Sequence, residues 1–153
     1  MLARIFLADD NPTLRRLLRG LIEAHPGWQI CGEARDGLEA VTKAIDLDPD
    51  LVVVDFAMPS LNGLQIGEKI LSVYPRLPIV LHTIHLFPAM TDEARKAGIR
   101  EVVGKEVTAE RLLDVIETLL KENRSGTAKT SRGRAEKPDA DTDNGKDTPP
   151  VLN

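Results

Sequence analysis

Leu51-Val52-Val53-Val54-Asp55-Phe56-Ala57-Met58-Pro59 is the stretch that decides how this chain is read. An unbroken apolar run reads as a strand buried on both faces. A carboxylate leaving the end of such a strand is costly to bury unless something there uses its charge. The same arrangement recurs on either side. Ile5-Phe6-Leu7-Ala8 ends in Asp9-Asp10, Ile79-Val80-Leu81-His82 ends in Thr83, and Val102-Val103-Gly104 ends in Lys105. Three acids, one hydroxyl and one ammonium therefore fall at strand ends. Together these groups suit a divalent cation and a phosphoryl group.

Between the apolar runs lie helical patterns, and the first 122 residues read as five strand–helix units. Strand one is Arg4–Ala8. Asn11 caps the next helix, with Pro12 at its first position, where the missing N–H does no harm. Leu14, Leu17, Leu18, Leu21 and Ile22 form a one-face stripe, and His25-Pro26-Gly27 stops it. Trp28–Glu33 is strand two, and Asp36-Gly37 opens a helix through Leu47. Strand three is Leu51–Asp55. Asn62-Gly63 precedes helix three, which ends before Pro75. Strand four is Pro78–Thr83, helix four Ala89–Ala97 and strand five Glu101–Gly104. Thr108 is placed to cap helix five, which carries Leu112, Leu113, Val115, Ile116, Leu119 and Leu120. Continuous apolar strands alternating with helices predict an α/β fold with a parallel sheet covered on both faces. Ligands of open parallel sheets bind at the C-terminal strand ends, where the polar residues fall.

The chain has 153 residues, 42% of them hydrophobic, enough for one domain with a core. A net charge of −4 argues against direct nucleic-acid binding, which usually needs a basic face. The lone Cys31 permits no intramolecular disulfide. The run after Met1 is too short for a signal peptide or a membrane span, so no membrane insertion is expected and the location reads as cytoplasmic. Composition changes near Glu122. Residues 123–153 carry a basic half (Arg124, Lys129, Arg132, Arg134, Lys137) and an acidic half (Asp139, Asp141, Asp143, Asp147) with almost nothing to bury. They are expected to form a disordered charged tail.

Asp9, Asp10 and Asp55 offer oxygens to Mg²⁺, a hard cation. A carboxylate beside a bound metal can also attack an electrophilic phosphorus and form an acyl phosphate. Lys105 and Thr83 then supply charge and a hydrogen-bond donor to the phosphoryl oxygens. Each residue alone reads as a turn, a cap or a surface charge; only the joint occurrence carries the chemistry. In order and spacing Asp9-Asp10, Asp55 with Met58-Pro59 and Gly63, Thr83 and Lys105 resemble the receiver domain of two-component response regulators, across residues 4–122. The texture is similar to receivers that carry a LuxR-type output domain. The resemblance implies a flavodoxin-like, doubly wound five-stranded sheet of order 2-1-3-4-5. It implies phosphorylation of Asp55 by a sensor histidine kinase or a phosphotransfer protein, with Mg²⁺ held by Asp10, by Asp9 mainly through water, by Asp55 and by the backbone carbonyl of Ala57. It further implies that Lys105 contacts the phosphoryl group and that Thr83 swings toward it.

The chain departs from the family pattern at several positions. Val102 stands where most receivers have an aromatic switch residue, three before the lysine, and Phe87 is the nearest aromatic that could substitute. Glu106 follows the lysine where many receivers have a proline in a cis peptide. A non-proline cis bond costs about 2.5–4 kcal/mol, so a different loop is expected. Ile84, next to Thr83, is bulky enough to crowd the pocket. No output domain is recognisable after residue 122, so the expectation is a stand-alone receiver with no enzymatic activity beyond self-phosphorylation and autodephosphorylation, acting on an unknown downstream protein. A homodimer is left open by the apolar stripes. The alternative is a phosphorylation-independent docking module. A phosphatase of the haloacid-dehalogenase type would need an acid two residues after Asp55, where Ala57 stands. His82 is expected to pack under a helix, Cys31 to be a buried small hydrophobe, and His85 to be a loop residue near the site mouth.

Overall fold

The computed structural model describes residues 2–84 and 86–125. Five strands and five helices alternate: β1 Ala3–Ala8, α1 Pro12–Glu23, β2 Trp28–Ala34, α2 Gly37–Leu47, β3 Leu51–Val54, α3 Gly63–Leu71, β4 Ile79–Thr83, α4 Pro88–Ala97, β5 Glu101–Gly104 and α5 Ala109–Ser125. The strands form one parallel sheet of order β2-β1-β3-β4-β5, as expected. The chain reverses direction across the sheet between β1 and β3, and the polar strand ends gather there.

Period-two alternation divides each strand between two cores. Phe6, Val52, Val54, Ile79 and Leu81 pack against Ala40, Ile66, Ile70 and Met90 of α2, α3 and α4. Ile5, Leu7, Val53, Val80 and Val103 pack against Leu18 and Ile22 of α1 and Ile116 and Leu119 of α5. All four residues of β3 are buried, which is why it reads as an unbroken apolar run.

Local chemistry starts and stops the helices where the turns are needed. The Asn11 side chain accepts from the N–H groups of Thr13 and Leu14, with Pro12 at the first helical position. Asp36 accepts from Glu39 N–H at 2.9 Å. Asn62 and Gln65 form a reciprocal capping box at α3. Gly98 ends α4 at φ 93°, a left-handed conformation that glycine adopts without strain. Leu17 differs from expectation: it lies on the solvent side of α1 and is 56% exposed, while Leu18 and Ile22 carry the burial. α5 continues through Ser125, beyond the change of composition at Glu122. The rest of the charged tail lies outside the described residues. Among the described residues no helix is long and apolar enough to cross a membrane.

Candidate functional site

The C-terminal ends of β1, β3 and β5 bring Asp9, Asp55 and Lys105 together, and Thr83 ends β4 beside them. Asp9 and Asp55 are buried and Asp10 is exposed. One carboxylate oxygen from each of the three lies within 4.8 Å of the others. Such an all-oxygen set, open to solvent at Asp10, fits a hard divalent cation that keeps some of its waters.

Asp9 is held from every side. Its N–H donates to the Ala34 carbonyl at 3.1 Å. Its Oδ1 accepts from Asn11 N–H at 2.9 Å, and its Oδ2 from Lys105 Nζ at 2.9 Å. Its carbonyl accepts from Arg15 Nη1 at 2.7 Å. Lys105 Nζ also lies 3.3 Å from Asp55 Oδ1, with its side chain only 11% exposed. One ammonium thus bridges two buried carboxylates. It offsets at most half of their charge, and Asp10 adds a third negative group at the mouth.

Asp55 leaves β3 one residue after the strand ends, with its N–H still donating to the Ala8 carbonyl at 2.9 Å. Burial pushes its carboxyl pKa up. Lys105 and the Ala57 backbone N–H oppose that shift, while neighbouring Asp9 adds to it. The turn after Asp55 is closed by Gly63 N–H, which donates to the Phe56 carbonyl at 2.8 Å. A Cβ on Gly63 would lie 2.7 Å from the Asp55 carbonyl oxygen and 2.5 Å from Leu81 Cδ1. This close approach packs α3 against the acid-bearing turn and leaves no room for a side chain.

Thr83 is fully buried, pairs with Gly104, and its carbonyl accepts from Lys105 N–H at 2.7 Å. Ala57 lies exposed in the turn after Asp55. Val102 is partly buried toward α4, beside a groove lined by Thr91, Ala94, Arg95 and Ile99. Phe87 is the N-cap residue before α4, is 46% exposed, and does not line that groove. Ile84 is also exposed. The loop after Lys105 contains no cis peptide. Instead the Glu106 carboxylate lies over Gly104, where a Cβ would come within 2.6 Å of it. His85 lies outside the described residues.

Two residues near the site carry more than their sequence signals suggest. Arg15 reaches back from α1 to the Asp9 carbonyl, and no strand-end pattern marks it. His82 is buried on the opposite side of β4 from Thr83, and its Nδ1 has no hydrogen-bond partner. Burial lowers the imidazole pKa to about 4; the Lys105 charge acts in the same direction and Asp9 against it. Trp28 is buried and stacked on His25 at 3.9 Å between ring centroids. Cys31 is only half-buried, with its thiol pKa raised by burial.

Comparison with known proteins agrees with this geometry. The family described as Response regulator receiver domain matches residues 5–117. Chemotaxis protein CheY of Thermotoga maritima is 31% identical over 118 residues, covering 77% of this chain and 98% of that protein. Protein-glutamate methylesterase/protein-glutamine glutaminase 4 of Myxococcus xanthus is 39% identical over 108 residues, 70% of this chain. That match covers only 31% of the Myxococcus protein, so the chain spans about a third of its length. Among solved structures, a LuxR-family two-component response regulator from Aurantimonas superposes with a TM-score of 0.77 at 33% identity, covering 80% of this chain and 87% of that one.

Proposed function

The chain belongs to the response regulator receiver domain family of two-component systems, and from that premise we propose that Asp55 is its phosphoryl acceptor. The donor is a phosphohistidine on a sensor histidine kinase or a phosphotransfer protein. An Asp55 carboxylate oxygen forms a bond to phosphorus as the phosphorus–nitrogen bond breaks, and the departing imidazole nitrogen takes up a proton. Asp9, Asp10, Asp55 and the Ala57 carbonyl would hold Mg²⁺, which supplies positive charge against the carboxylates and the entering phosphoryl oxygens. Lys105 is already poised between Asp9 and Asp55, and moves its ammonium onto a phosphoryl oxygen. The Thr83 hydroxyl donates to another. The modified chain then signals through altered binding to a downstream protein.

The observation that carries this reading is the Lys105 bridge over two buried carboxylates, with the third carboxylate open to solvent. A purely structural ion pair needs one acid, whereas this pocket keeps negative charge in excess. The test is the intact mass after incubation with acetyl phosphate, with and without Mg²⁺, for wild type and Asp55→Ala. One added phosphoryl group, only with Mg²⁺ and only in the wild type, supports the reading. Labelling that persists in Asp55→Ala sinks it.

A second reading, a docking module indifferent to phosphorylation, draws on Val102 and the open groove between α4 and β5. It requires partner affinity to stay the same when Asp55 is phosphorylated or replaced.

A further inference from the structure

We propose that Arg15 is a positioning residue for the divalent cation, acting through the Asp9–Asp10 peptide; the inference rests on the reading of the acidic pocket as a Mg²⁺ site. The Asp10 carboxylate, the exposed member of the trio, has no hydrogen bond or ion pair among the described residues. Its direction is therefore set by the backbone before it. The carbonyl of that peptide belongs to Asp9 and accepts from Arg15 Nη1 at 2.7 Å. The Arg15 side chain is 14% exposed and is itself aimed by Glu33, whose Oε1 accepts from Arg15 Nε at 2.8 Å. Glu33 stands on β2, next to β1, and is held in turn by Arg19. A chain of contacts from the sheet edge through Glu33 and Arg15 thus fixes the plane of the Asp9–Asp10 peptide. The plane of that peptide fixes where the Asp10 oxygens can point.

Electrostatics and positioning predict opposite signs, so the role is separable from charge alone. Arg15 and Glu33 neutralise each other. Removing the guanidinium leaves the Glu33 anion near the pocket, and simple Coulomb attraction would then tighten cation binding. Loss of a supporting hydrogen bond to a metal-site residue instead weakens it, typically by about 10–100-fold.

The experiment is calorimetric titration of the full chain with Mg²⁺ alone, for wild type, Arg15→Met, Arg15→Lys, Glu33→Asp and Arg16→Met. Thermal unfolding in EDTA is recorded for each as a check on folding. Arg16 is exposed on the same helix and controls for loss of one positive charge. The expected result is that Arg15→Met weakens Mg²⁺ binding by about tenfold or more. Arg15→Lys should recover part of the loss, and Arg16→Met should bind as the wild type does. Should Arg15→Met fail to fold in EDTA, Glu33→Asp, which keeps both charges but draws the carboxylate away from the guanidinium, must still weaken binding. Affinity equal to or tighter than wild type in the folded variants overturns the positioning role while leaving the pocket reading intact. A wild type that takes up no Mg²⁺ overturns the pocket reading, and the positioning role with it.

Discussion

Replacing His82 with leucine should remove most of the acid sensitivity that this fold owes to one buried imidazole. His82 has its Nδ1 enclosed without a partner and its pKa lowered to about 4 from an ordinary value of 6.5. Burial is the main cause; the Lys105 ammonium repels a second positive charge, and Asp9 only partly offsets this. The sign follows from linkage. Between these two pKa values the unfolded chain binds a proton that the folded chain refuses, so stability falls as pH drops through 6.5 and levels off below about 4. At pH 5 the two values correspond to about 2 kcal/mol lost relative to pH 7.5, at 1.36 kcal/mol per unit. Leucine fills a similar volume and titrates nowhere. It also relieves an unsatisfied buried polar atom, worth about 1–3 kcal/mol at neutral pH. Urea unfolding of both proteins at pH 7.5, 6 and 5 reads the effect directly. Carboxylates titrate in both proteins, so the difference between them isolates position 82. Stability curves that run parallel with pH to within about 0.5 kcal/mol would refute the assignment of a neutral, desolvated imidazole.

Two further substitutions test the packing that aims the site. Gly63→Ala places a methyl 2.7 Å from the Asp55 carbonyl oxygen, so a loss of about 1–3 kcal/mol in urea unfolding is expected, together with slower phosphoryl labelling of Asp55. Tyr74 is buried and its hydroxyl donates to the Ile45 carbonyl at 2.6 Å, tying the segment after α3 to α2. Tyr74→Phe should lower stability by about 1 kcal/mol with no change in Asp55 labelling, read by the same unfolding assay and by intact mass.

How much of this was legible in the chain depended on the distance over which each signal acts. Asp9, Asp55, Thr83 and Lys105 were visible because each ends a run of apolar residues, and a strand end is a local feature. The Asn11 and Asp36 caps were visible for the same reason. Leu17 was not, because the stripe of α1 is wider than its contact with the sheet, and periodicity alone does not say which edge of a stripe meets solvent. The continuation of α5 past Glu122 was hidden because Lys121, Glu122 and Arg124 are good helix formers with nothing to bury. Arg15 was hidden more deeply. Its role depends on a side chain that folds back along α1 to a carbonyl and on Glu33 of the neighbouring strand, a pairing that exists only once the sheet order is known.

Lys105 connects the acidic pocket to the surface, and this bears on how the proposed switch would work with Val102 in place of an aromatic. Its ammonium lies on Asp9 and Asp55, while its backbone N–H donates to the Thr83 carbonyl at 2.7 Å. Just beyond it, Glu106 is packed over Gly104, and Val107 N–H donates back to the Gly104 carbonyl at 3.3 Å. Ile84, Leu86, Phe87 and Val107, on the two loops that flank this link, are all exposed apolar side chains. If a phosphoryl group on Asp55 draws the ammonium toward itself, the strain passes first along the Lys105 backbone, because among the described residues the groove between α4 and β5 is lined by no aromatic ring to take it up. The amides of Lys105 and Val107 should then exchange with solvent at altered rates on phosphorylation, while those of β3 stay protected. Hydrogen exchange resolved to single amides, on fully labelled and unlabelled protein, makes the comparison. Unchanged exchange at both amides with labelling complete would move the switch away from β5 and toward the α4 loop alone.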